Sequence, residues 1–322
     1  MNQYRIYHLY TYRITYKVEY FATYIDSGSR TCLCKSTLKD CGDHSFRCNF
    51  FFPFNGRYAV VTAGANKGIG FEICRQLASQ GIIVLLTARD KKRGVDAVEL
   101  KESNDFSDQD LLFHQLDVED SSSVASLAEF VKTQFGRLDI LVNNAGIGGS
   151  LVDTDALKAA TAAAGGVSIN QVRFLMARRT HINWKAISTH TYELTLECVE
   201  TNYCGTRRMV EALLPLLQLS QSPRIVNVSS TMGKLKDVKA GSQEAKGWPI
   251  AYSVSKAAII AYTRILAKKL ANFKVNCVCP GSTSTDLNYR TGKQTTAESA
   301  ESPVMLALLP DDGPSGLFFL HK

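Results

Sequence analysis

Tyr58-Ala-Val-Val-Thr-Ala-Gly64-Ala-Asn-Lys-Gly68-Ile-Gly70-Phe-Glu-Ile-Cys74 passes from an apolar, β-branched run through three glycines into a segment of helical period. That order suits a dinucleotide turn: glycines let the backbone fold tightly and approach a pyrophosphate, whose charge then lies at a helix N-terminus. The spacing is Gly-x-x-x-Gly-x-Gly rather than Gly-x-Gly-x-x-Gly, so the strand before and the helix after carry the assignment. Gly64, Asn66, Lys67, Gly68, Ile69 and Gly70 are the candidate residues of this turn.

Outward from this turn the pattern repeats. Short apolar runs at 58–63, 82–87, 111–116, 138–142, 224–228 and 274–278 read as buried strands, with longer helix-period segments between them. The clearest helices are 121–135 and 252–270, with apolar residues three and four apart. Alternation of this kind predicts an α/β fold, a doubly wound parallel sheet of Rossmann type with helices on both faces, in one domain over residues 56–322. The less regular insert at 147–200 and the segment after Ser230 are expected to rim the substrate pocket, because loops at the carboxyl ends of such strands carry ligands.

Residues 1–55 differ from everything that follows. Seven of the 13 tyrosines fall before residue 25, four cysteines follow, and an aromatic run from Phe50 to Phe54 is broken by Pro53. No period emerges, and the stretch reads equally as a strand, an extension without fixed structure, a targeting segment, or sequence foreign to the working protein. Cys32, Cys34, Cys41 and Cys48 with His44 match no common zinc spacing, so no metal site is expected. Cys74, Cys198, Cys204, Cys277 and Cys279 sit in apolar segments and are expected to be free thiols.

With 322 residues, 45% hydrophobic and 21% charged, the chain has the composition of a soluble globular protein. Its net charge of +7 is spread along the chain without a nucleic-acid or membrane tail, which leaves anionic cofactors as the simpler account. No run approaches the ~18 apolar residues of a membrane span, and no secretory signal is evident, so a soluble, intracellular protein is expected.

Which dinucleotide is bound follows from the end of the second strand. An acidic residue on the ribose hydroxyls marks NAD, whereas this chain places Ala88 and Arg89 there. A guanidinium at that point, with Lys67 nearby, favours a 2′-phosphate and hence NADPH or NADP+, against the competing carboxylate of Asp90. Asp117 and Val118 end the third strand, where an adenine edge is held. Asn144, Ala145 and Gly146 end the fourth, where small residues let backbone meet cofactor.

Tyr252 and Lys256 stand four residues apart in Ala251-Tyr-Ser-Val-Ser-Lys256, on one face of a helix. Reducing a carbonyl by hydride requires a proton donor for the developing alkoxide, and a phenol near pKa 10 serves better if a neighbouring ammonium lowers that value. Lys256 is the expected neighbour, with further reach to the nicotinamide ribose. Ser230, ending Ile225-Val-Asn-Val-Ser-Ser230, is placed to hold the substrate oxygen, although Ser229 and Ser230 also suit a plain strand cap. Tyr289 and Lys293 repeat the spacing in a polar, turn-rich stretch without a serine in the right place before them, as roughly one such pair is expected by chance.

Together Gly64 to Gly70, Asn143 to Gly146, Asn202, Ser230, Tyr252 with Lys256, and Pro280-Gly281 resemble the short-chain dehydrogenase/reductase family, in its order, over residues 57–322. Longer stretches, Asn276-Cys-Val-Cys-Pro-Gly281 and Leu309-Pro-Asp-Asp-Gly-Pro-Ser-Gly316, look like its plant carbonyl reductases. The resemblance implies an NADPH-dependent, cytosolic reductase of terpenoid or alkaloid ketones, with a small-molecule partner and no nucleic acid or membrane. It implies a tetrad in which Tyr252 is the acid/base, Lys256 tunes it, Ser230 orients the carbonyl and Asn202 holds a water. It also places Thr285 on the amide side of the cofactor.

Three departures stand out. Ala63 adds a residue between Thr62 and Gly64, which must bulge or shorten the first strand. Ser230 and Tyr252 are 22 positions apart, far fewer than in the plant enzymes, whose long helical flap covers the substrate and obstructs dimerisation. That leaves the oligomeric state open, with the resemblance leaning to a monomer. The N-terminal extension is the third. The alternative reading is a non-catalytic NADPH-binding paralogue.

Overall fold

The computed structural model describes residues 56–62, 64, 67–99, 111–163, 184–234, 250–290 and 292–321. The N-terminal stretch with its four cysteines, Ala63, Asn66, residues 164–183 of the insert and residues 235–249 lie outside them.

Elements alternate through β1 (Tyr58–Val61), α1 (Gly68–Ala78), β2 (Ile83–Ala88), α2 (Lys91–Glu99), β3 (Leu111–Gln115), α3 (Ser121–Phe135) and β4 (Ile140–Asn143). The insert then contributes β5 (Leu151–Val152), α4 (Thr154–Ala163), α5 (Trp184–Ile187), β6 (Ser188–Thr189) and α6 (Tyr192–Val199). A π-helical turn (Glu200–Cys204) leads into α7 (Gly205–Leu217), followed by β7 (Arg224–Val228), α8 (Ile250–Lys269), β8 (Lys274–Cys279), α9 (Thr296–Ala307) and β9 (Phe318–Leu320).

Seven strands form one sheet in the order β3-β2-β1-β4-β7-β8-β9, every pairing parallel. The order reverses between β1 and β4, which opens a crevice at the carboxyl ends of these strands. β1 shows why the sheet is covered on both sides. Val60 packs with Val124, Leu127, Leu213 and Leu266 of α3, α7 and α8, while its neighbours Ala59 and Val61 pack with Ile73, Leu77, Ala300 and Val304 of α1 and α9. A strand whose alternate side chains are both buried must be apolar throughout, as Tyr58-Ala-Val-Val61 is.

Local signals set the helix ends. Asp120 caps α3 by accepting from the Ser122 amide, and Gly136, at φ 72°, closes it in a conformation that costs other residues a steric clash. Thr295 and Glu298 form a capping box on α9.

The expected strands and helices recur with shifted ends, and β1 carries no bulge over its described residues. Residues 59–61 pair in unbroken register with 140–142, and the Thr62 amide still donates to Val142 O at 2.9 Å. β9 is an addition that the sequence pattern did not show, a three-residue edge strand on β8. Among the described residues α8 alone is long and apolar enough on length and composition to cross a membrane, and it packs as a helix of the core with Tyr252, Lys256, Ile259 and Leu266 buried. Cys74, Cys198, Cys204, Cys277 and Cys279 are free thiols.

Candidate active site

β7 ends beneath the amino-terminal turns of α8, and two serines fasten the junction. Ser229 donates its amide to Val278 O at 2.7 Å and its hydroxyl to Lys256 O at 2.9 Å. Ser230 starts the short turn Thr231–Gly233, where its hydroxyl accepts from the Met232 amide and is hydrogen-bonded to the Tyr252 phenol. This turn can lie on α8 because Gly233 has no side chain: a Cβ there would stand 2.5 Å from the Lys256 carbonyl carbon. Gly233 therefore brings Ser230 to Tyr252, a role the sequence reading missed. Its only signal was a glycine three residues past the serine.

Tyr252 and Lys256 share the buried face of α8, with the Lys256 ammonium 5.6 Å from the phenol ring centroid and donating to Val228 O at 3.0 Å. Burial pushes the Lys256 ammonium down to about 8, against the opposing pull of Cys198 and Cys279. Burial also pushes the Tyr252 phenol above its ordinary value, assisted by Cys279, while the Ser230 hydroxyl pulls it down. The expected acidification of Tyr252 is not found in this structure, where burial sets the direction and Ser230 supplies the opposing pull. Spacing put the ammonium on the right face, but desolvation of the phenol dominates its proton affinity.

Asn202 lies in the π-helical turn, fully buried. Its Oδ1 accepts from the Ile147 amide at 2.8 Å, and its Nδ2 donates to Ile147 O at 3.1 Å and to Ser255 Oγ at 3.0 Å. Ser255 in turn donates to Tyr252 O at 2.8 Å. The Asn202 side chain thereby ties the loop after β4 to α8. Gly146 completes the cluster, since a Cβ on it would lie 3.2 Å from Lys256 Nζ and 3.3 Å from Asn202 Oδ1.

A second group surrounds the glycine turn. Gly64 and Gly68 adopt φ of 73° and 65°, conformations other residues rarely take. Lys67 precedes α1, which Gly68, Ile69 and Gly70 open. Asn144 and Ala145 donate their amides to Thr62 Oγ1, which holds the ends of β1 and β4 together across the crevice. Thr285 stands over the turn, its methyl 3.8 Å from where a Gly68 Cβ would be.

Arg89 lies exposed at the end of β2, and its carbonyl accepts from Gln115 Nε2 at 3.0 Å. The competing carboxylate of Asp90 is engaged locally, accepting from the Arg93 amide at 3.0 Å at the start of α2. Asp117 accepts from the Glu119 amide at 3.0 Å, and Val118 is buried against Gly205. The second Tyr/Lys pair takes no part in the cluster around Ser230. Tyr289 turns its hydroxyl to accept from the Val152 amide at 3.1 Å.

The short chain dehydrogenase model matches residues 57–180 and 155–296. A (+)-neomenthol dehydrogenase of Arabidopsis thaliana is 52% identical over 302 aligned residues, covering 83% of this chain and 96% of the relative. Salutaridine reductase of Papaver bracteatum is 47% identical over 299, covering 82% and 94%. Among solved structures, salutaridine reductase from Papaver somniferum superposes with a TM-score of 0.70 at 46% identity, over 82% of this chain and 99% of that one. Menthone neomenthol reductase from Mentha piperita gives 0.64 at 44%, over 83% and 99%. The motif order, the sheet order and these similarities together place the chain in the short-chain dehydrogenase family, as an oxidoreductase of carbonyl and alcohol groups.

Proposed function

We propose that residues 56–322 form a cytoplasmic NADPH-dependent carbonyl reductase, which transfers hydride to a ketone or aldehyde of terpenoid or alkaloid type and runs in reverse as an alcohol dehydrogenase. One observation carries the reading: the Ser230 hydroxyl, the Tyr252 phenol and the Lys256 ammonium gather at the carboxyl end of β7, beside the crevice. Relatives whose names state neomenthol, salutaridine and isopiperitenone chemistry support the substrate class. A relative named as an NADPH carbonyl reductase, 34% identical, supports the nucleotide.

The chain's residues suit that nucleotide. Positive φ at Gly64 and Gly68 and the absent side chain at Gly146 leave backbone space at the crevice, and Lys256 is a buried cation without an ion pair among the described residues. Gly64, Asn66, Gly68, Ile69 and Gly70 would hold the pyrophosphate side, Arg89 with Lys67 the 2′-phosphate, and Asp117 with Val118 the adenine. Asn144, Ala145, Gly146, Thr285, Tyr252 and Lys256 would face the nicotinamide half. When bound, NADPH supplies the hydride.

Ser230 donates a hydrogen bond to the substrate oxygen, and Tyr252 delivers a proton to the developing alkoxide. Burial assists the first half of that task, because a raised phenol pKa keeps the proton on Tyr252 until the alkoxide forms. It opposes the second half, since the phenolate left behind is desolvated. Lys256, protonated below about pH 8, offsets that charge. Asn202 and Ser255 hold the backbone that aims the pair.

Consumption of NADPH and of NADH by the purified chain, followed across terpenoid and alkaloid ketones and small aldehydes, tests the proposal. NADPH loss with at least one ketone is expected. A chain that binds NADPH and consumes it with none of them contradicts the reading.

A further inference from the structure

Lys67, the cation of the glycine turn, points across the chain. Its Nζ lies 2.5 Å from Asp286 Oδ2, 219 residues away in the short turn Asp286–Asn288 that follows β8. Asp286 also holds Arg290, at 3.2 Å. One carboxylate thus engages two cations at the mouth of the crevice. Half of each Lys67 and Asp286 side chain is exposed, so the pair is screened and holds the fold only weakly. The turn has other supports: Thr285 donates its amide to Asn288 Oδ1, Asn288 Nδ2 donates to Thr283 O, and Tyr289 accepts from Val152.

We infer that Asp286 sets the nucleotide preference of this enzyme, by competing with the 2′-phosphate for Lys67. The inference rests on the NADPH reading above. Its physical content is a choice of anion for one ammonium. When a phosphate dianion arrives at the turn, Asp286 acts on it twice: it occupies the cation the phosphate needs, and it adds a like charge nearby. Lys67 and Arg290 together hold the Asp286 carboxyl below its ordinary range, so the carboxylate keeps this charge throughout the neutral range. A ligand lacking the 2′-phosphate gains nothing from the release of Lys67. Asp286 therefore depresses NADPH affinity selectively and narrows the gap between the two nucleotides.

Calorimetric titration of the full chain with NADPH, NADH, 2′,5′-ADP and ADP reads this without turnover. Asp286→Asn is expected to tighten NADPH and 2′,5′-ADP by about threefold to tenfold at low salt, leave NADH and ADP unchanged, and lose most of the gain by about 0.5 M salt. Repeated in a Lys67→Gln background, the same change should yield a smaller gain, since the cation to be released is gone. Equal tightening of all four ligands, or none, overturns the inference. Wild-type protein that binds NADH as tightly as NADPH refutes instead the cofactor reading on which it rests. A wild type that prefers NADPH, with Asp286→Asn indistinguishable from it, refutes the inference alone.

Discussion

The two ends of the sheet treat buried charge in opposite ways. At the amino end, Asp139 is 5% exposed and fully engaged: it accepts from the Tyr58 amide at 2.9 Å, from Ser220 Oγ and from Arg137 Nε. Arg224, 2% exposed, donates to Leu309 O and to Asp311. At the carboxyl end, Lys256 is 3% exposed, and among the described residues a backbone carbonyl alone receives its ammonium. Burying a charge without a counter-ion destabilises, and the descent of Lys256 to about 8 corresponds to about 3 kcal/mol. The contrast teaches that the amino end is arranged for stability, while the carboxyl end carries an unmet charge suited to a reaction.

Several variants sharpen or break this contrast. Tyr252→Phe removes the proton donor and is expected to lower kcat/KM by about 10³-fold while leaving NADPH affinity within about twofold. Stopped-flow reduction rates beside binding titrations check both halves. At the opposite end, Asp139→Ala strips three donors of their acceptor and should cost about 2 to 3 kcal/mol in urea melts, with kcat of the folded enzyme unchanged. A comparable loss of kcat in Asp139→Ala would erase the distinction between the ends. Gly233→Ala forces the Ser230 turn off α8 and should lower kcat/KM about tenfold with a stability loss of about 2 kcal/mol. The pH profile has the mildest effect: Lys256 is protonated below about 8, so kcat/KM for ketone reduction should decline above that pH. A profile flat to pH 10 would contradict it.

Much of the fold was legible because buried parallel strands must be apolar on both faces. The runs around Val60, Leu85, Leu141, Ile225 and Val275 mark them, and the glycines around Lys67 mark the crevice. The candidate site was legible wherever chemistry follows local spacing, as with Tyr252 and Lys256 on one helical face. What escaped depends on distant contacts. β9 is three residues long and gains its order from pairing with β8. Gly233 matters through the helix it touches, and Asp286 through a lysine 219 residues away. The direction of the Tyr252 shift also escaped, since spacing reveals the neighbouring ammonium but not the depth of burial.

Lys256→Met tests the central claim most directly, with melting and turnover measured on the same preparations from pH 7 to 10.5. The folded-state value near 8 lies below the ordinary 10.5, so the cost of the buried charge is present in full below pH 8 and fades as pH rises toward 10.5. The variant should therefore lose kcat/KM by at least about 10²-fold at pH 7 yet melt higher than wild type, and that advantage should vanish by pH 10.5. A Lys256→Met protein that melts lower at pH 7, or one that keeps its activity, would contradict the account.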